Sequence, residues 1–165
     1  MSTRRKFLKG TAAGITLGAS QLSFNIISQS NTNTPVVGHG EYTYRVHQDW
    51  GTQDPTKIPV KDCHEMVQDK KGRLILLTNH SKNNIIMYDR SGKVTDTWTL
   101  QLPGAHGLTL ASEGEEEVLF ITDEKIGKVY KTDLNGKVLI ELGYPEMIEA
   151  YGDGSQWHPT EVAVA

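Results

Sequence analysis

Three histidines, His64, His106 and His158, each open a run of alternating apolar residues: Cys63-His64-Glu65-Met66-Val67, Ala105-His106-Gly107-Leu108-Thr109-Leu110 and Trp157-His158-Pro159-Thr160-Glu161-Val162. Neutral imidazole is a good metal ligand, and a catalytic zinc ion is held by three protein donors at about 2.0–2.1 Å, with a fourth position left for water or substrate. Such an ion acts as a Lewis acid or lowers the pKa of its bound water. Three histidines at equivalent places in successive elements could supply those donors. The alternative is that His belongs to a structural repeat and hydrogen-bonds the backbone of a neighbouring element.

Other residue types offer less. His80, beside Asn79, reads as a surface loop residue. Cys63 precedes His64, and strand neighbours point to opposite faces, so the two do not easily share a metal; a buried apolar cysteine is the expectation. Glu113-Gly114-Glu115-Glu116-Glu117 is an acidic loop without the alternating oxygen ligands of a calcium site, and reads as a solvated turn. Asp89 and Asp123 read as turn-capping carboxylates. Trp50, Trp98 and Trp157 fall one per unit and are expected to pack between units. There is no nucleophile elbow, phosphate-binding loop, dinucleotide fingerprint or interpretable pair of carboxylates. The catalytic residues are therefore unassigned.

The elements that position the histidines follow from self-similarity. Gly92 and Gly136, in two copies of Asp-x-x-Gly-Lys-Val, are 44 residues apart, as are Thr78-Asn79 and Thr122-Asp123. His64 and His106 are 42 apart. Short β-type runs repeating at a period in the forties are the pattern of propeller blades, and the fold class expected is an all-β propeller. The expected divisions are a linker at 31–40, a strand and loop at 41–61, and blades at 62–100 and 104–142. An insertion at 143–156 follows, with a short helix over Pro145 to Tyr151, and a third blade opens at 157–165. Within each blade an inner strand begins at His, a strongly apolar strand follows, and Ser91-Gly92 or Asn135-Gly136 makes the hairpin turn before the outer strand. Inner strands line the channel of a propeller, so the three imidazoles are expected around one mouth of it. A propeller has roughly 4–8 blades, which makes these 165 residues read as the N-terminal fragment of a longer chain.

The four basic residues Arg4, Arg5, Lys6 and Lys9 lie in the leader, and the remainder carries 13 Lys and Arg against 20 Asp and Glu. No basic stripe remains for nucleic acid. One cysteine excludes an internal disulfide. Residues 1–30 resemble a twin-arginine export signal: Thr3-Arg4-Arg5-Lys6-Phe7-Leu8-Lys9 precedes a weakly apolar run from Gly10 to Leu22 that is too short for a stable membrane span. The resemblance implies a periplasmic or secreted protein, touching a membrane only through an uncleaved signal.

The blade text, His106-Gly107-Leu108, Val118-Leu119-Phe120-Ile121-Thr122-Asp123 and Val129-Tyr130-Lys131, resembles the NHL-type repeats of exported bacterial six-bladed β-propellers. Among enzymes it is distantly similar to the lyase that cleaves peptidyl-α-hydroxyglycine in peptide amidation. That resemblance implies a channel zinc, or another divalent metal, held through His-Gly-Leu motifs. His106-Gly107-Leu108 matches the first of these, and Pro159-Thr160-Glu161-Val162-Ala163-Val164 matches the opening of the blade that follows. The other two ligand motifs would fall beyond Ala165, and the family's catalytic Arg and Tyr match no position here. His64 stands one blade earlier than the family places a ligand. The function implied is a channel site for a small molecule or peptide with metal-dependent lyase or hydrolase chemistry. The rival expectation is a non-catalytic propeller that binds a ligand or, through its loops, a protein, and a third is an inactive fragment.

Overall fold

The computed structural model describes residues 34–146 and 157–164. The expected export signal lies outside the described residues, and so does all but the start of the expected helix at Pro145. The described residues are all-β, with ten strands and no helix. The chain divides into two compact units, Met1–Gln48 and Asp49–Ala165.

In the first unit, β1 (Val36–His39) and β2 (Tyr42–Arg45) form an antiparallel hairpin. Residues 36–39 were expected as part of a polar linker; Val36 and Val37 instead pair with Arg45 and Tyr44 across a turn at Gly40-Glu41. Gly40 takes the positive φ this tight reversal requires.

The second unit contains two four-stranded antiparallel meanders. The first sheet is β3 (Cys63–Gln68), β4 (Leu74–Thr78), β5 (Ile85–Tyr88) and β6 (Val94–Trp98). The second is β7 (Ala105–Glu113), β8 (Glu116–Asp123), β9 (Lys128–Asp133) and β10 (Val138–Leu142). Each sheet keeps its strands in chain order. The central strands of the first sheet, β4 and β5, are almost continuously apolar, β5 being buried at every residue, because both of their faces are covered. Ile75, Leu77, Ile85 and Met87 of the first sheet share one core with Leu108, Leu119, Ile121 and Tyr130 of the second.

Both outer hairpins turn on a glycine at φ +86°, Gly92 and Gly136. Asp89 Oδ1 accepts the N–H groups of Ser91 and Lys93, and Asp133 Oδ1 those of Asn135 and Lys137. A tryptophan indole lies on each turn. Trp98 Nε1 donates to Leu134 O at 3.0 Å, and Trp50 Nε1 to Arg90 O at 3.4 Å. Each accepting carbonyl stands two residues before the glycine, so the same device recurs. The strands β3 and β7, which begin with the candidate histidines, lie against one another.

Candidate functional site

Both candidate histidines of the sheets sit in a β-bulge. Cys63 pairs with Thr78 and Met66 with Leu76, so His64 and Glu65 together face one residue of β4. Ala105 pairs with Asp123 and Leu108 with Ile121, so His106 and Gly107 likewise share one residue of β8. A bulge bends its strand and re-aims its side chains. Here it brings the two imidazoles together: His64 and His106 stack with ring centroids 4.2 Å apart and planes 23° from parallel.

His106 Nδ1 lies 3.2 Å from the carbonyl oxygen of Thr160. A carbonyl only accepts, so Nδ1 carries the proton, and in the neutral ring Nε2 holds the lone pair. His158 is fixed in the same way, with Nδ1 2.8 Å from the carbonyl oxygen of Glu124. Its ring is not stacked with the other two, and the segment 157–164 forms no regular strand. Hydrogen bonds nevertheless hold that segment to the second sheet: Thr109 Oγ1 donates to Val162 O at 2.7 Å, and Trp157 Nε1 to Gly127 O at 2.9 Å. A cleft of about 510 Å³ lies between them, lined by Phe120, Val129 and Leu142 on the sheet and by Trp157, Pro159 and Val162 on the segment.

Two carboxyls that the sequence did not single out complete the cluster. Glu65, half-buried, accepts the Leu108 N–H at 2.6 Å through Oε2 and is hydrogen-bonded to Glu161. Burial, and then the bond to Glu161, push the Glu65 carboxyl above the ordinary range. The bond from Glu65 pulls Glu161 below it, with the Val162 N–H and the Thr109 hydroxyl adding to the effect. The two shifts therefore run in opposite directions across the pair. Each carboxyl is also drawn down by the nearby His106.

One signal for Glu65 was available in the sequence. It occupies the position equivalent to Gly107, where a β-carbon would run into the Thr160 carbonyl and come within 2.9 Å of Thr122 Oγ1. The first repeat has room there for a long acidic side chain that reaches the next repeat. The second repeat needs that room for the 157–164 backbone.

The remaining candidates have structural partners. Cys63 is exposed rather than buried, its thiol directed at the Lys61 carbonyl at 3.2 Å, because it precedes the bulge at the open end of an inner strand. Asp123 is buried and caps a turn, accepting from Gly104, Lys125 and Ile126. His80 Nδ1 accepts the Lys82 N–H within its loop. Glu113 of the acidic loop pairs with Lys131, and Glu117 accepts the Lys70 N–H. Among the described residues, no group of three or more His, Cys, Asp or Glu side chains is arranged to hold a metal ion.

No family model matches the chain, and no curated protein or solved structure matches it significantly.

Proposed function

We propose that the protein is an exported NHL-type β-propeller chain whose inner strands present a histidine-lined site to a small molecule or peptide. In this reading a zinc or other divalent ion binds through His106, with lyase- or hydrolase-type chemistry beside it. The observation that supports it most is the Thr160 carbonyl on His106 Nδ1. Metal-binding histidines nearly always donate their other ring N–H to a carbonyl or carboxylate, which fixes the tautomer and aims the free nitrogen. His158 carries the same support from Glu124, and the twin-arginine leader accounts for export. When bound, the ion would supply Lewis acidity or an activated water. The chain's own part is to hold Nε2 of His106 as an acceptor, with the Glu65 and Glu161 carboxyls close by.

The stacked imidazoles favour a second reading, ligand binding without metal. Between two face-stacked rings an ion would meet π faces rather than nitrogen lone pairs, whereas a planar or cationic ligand group suits such a surface.

Elemental analysis of the purified protein, alongside its intact mass, tests the two readings. About one zinc per molecule, lost in His106→Ala with the fold retained, is the result expected of the metal site. A folded protein that takes up no divalent metal from a metal-buffered titration would discard it in favour of the binding reading.

A further inference from the structure

We propose that β10 is a dimerisation strand, which pairs antiparallel with β10 of a second copy of this chain about a two-fold axis at Leu139. The pairing needs no metal or ligand at the histidines.

The two sheets are copies of one repeat, yet their outer strands differ. In β6 the central residues are Thr95, Asp96 and Thr97, a polar edge of the kind that keeps a sheet from recruiting strands. The residues 44 positions later in β10 are Leu139, Ile140 and Glu141, and every residue of β10 is exposed. β9 pairs with one side of β10, and among the described residues no strand pairs with the other. Trp98, which ends β6, is engaged on the next sheet through Leu134 O, whereas Leu142 in the equivalent place is 55% exposed.

The run Lys137-Val138-Leu139-Ile140-Glu141 specifies the partner. Laid antiparallel on its own copy about Leu139, it sets Lys137 against Glu141 at both ends and Val138 against Ile140 on either side of the axis. Opposite charges and apolar side chains that face one another across strands are stabilising pairs. Lys137 is exposed and has no carboxylate partner among the described residues. Glu141 is bonded to Lys128 through Oε1, which leaves Oε2 for the second copy. Leu139 is the extra residue of a bulge against β9; such a residue is left unpaired in its own sheet. The same operation on β6 would set Lys93 against Thr97 and Val94 against Asp96, with no charge matched. A foreign strand would have to bring both complementary charges, whereas a second copy carries them. The contact is isologous and closes at two chains. One strand a side is a small interface, so the dissociation constant is expected on the order of tens of micromolar or weaker.

Sedimentation equilibrium of the whole chain tests this by charge reversal. Wild type is expected to pass from monomer to dimer as concentration rises. Lys137→Glu and Glu141→Lys should each weaken the dimer about 10–100-fold, because each sets like charges opposite one another at both ends. An equimolar mixture of the two variants should dimerise as wild type does, since one offers negative charge at both positions and the other positive. The double variant, Lys137→Glu with Glu141→Lys, should also recover. A wild-type chain that stays monomeric up to about 1 mM would overturn the proposal and leave the edge to another occupant. Dimers indifferent to either reversal, or reversals that mixing fails to rescue while circular dichroism shows both variants folded, would overturn the register. Should a single variant unfold, the double variant decides by itself, and a folded monomer there counts against the pairing.

Discussion

A single buried carboxylate shows how closely these sheets match local charge to backbone. Asp69 is 4% exposed, accepts the Arg73 backbone N–H at 2.8 Å and pairs with the Arg73 guanidinium at 2.7 Å. Burial alone would raise its pKa, but the hydrogen bonds and charge of Arg73 win, and the carboxyl lies below its ordinary value of 3.8. With the folded pKa below the unfolded one, the stabilisation is fully present above that ordinary value and is lost as the pH falls through the folded one. Asp69→Asn is expected to cost about 1–3 kcal/mol at neutral pH, since it leaves a half-buried guanidinium unpaired. Urea unfolding of both proteins should show the difference shrinking in acid, and a pH-independent difference would assign it to packing instead. The sequence marked His64, His106 and His158 because each opens a repeat. Glu65 and Glu161 escaped notice because their partnership joins positions far apart in the chain and depends on a bulge.

At the level of elements, the turns and strands were legible because their causes are local. Glycine must supply the positive φ at Gly92 and Gly136, and Asp89 and Asp133 fold back onto the turn amides within four residues. The indole on each turn is a tertiary addition. A β-carbon on Gly136 would stand 2.8 Å from the Trp98 ring, whereas Gly114, also at positive φ, has open space around it. Gly114→Ala should therefore cost about 1–2 kcal/mol, for backbone strain alone. Gly136→Ala should cost about 1–3 kcal/mol more, for the displaced indole. Thermal melts of the two variants measure this difference, and equal losses would mean that Trp98 moves aside freely. Residues 36–39 escaped the strand reading because Val36-Val37-Gly38-His39 is short and flanked by polar and glycine residues, and only pairing with β2 reveals it as a strand.

For the whole molecule, the decisive feature is which faces find a partner. The first and second sheets bury one another's central strands, but β10 forms the edge of its sheet, and Val138, Leu139, Ile140 and Leu142 are 41–55% exposed. An apolar edge strand recruits further strands. This 165-residue chain is accordingly expected to self-associate with rising concentration, and Ile140→Lys with Leu142→Lys to suppress it. Sedimentation velocity over a concentration series checks this; an unchanged distribution in the double variant would place the adhesive surface elsewhere. The sequence by itself determined the all-β character, the order of strands and the hairpin turns, since alternation, glycine and side-chain-to-backbone bonds act over a few residues. Only the tertiary structure decided that His64 stacks on His106, that His158 turns to Glu124, and that Glu65 reaches the Leu108 N–H of the next repeat. Those contacts depend on how two bulged inner strands and the 157–164 segment meet across repeats, and a linear pattern carries no record of that meeting.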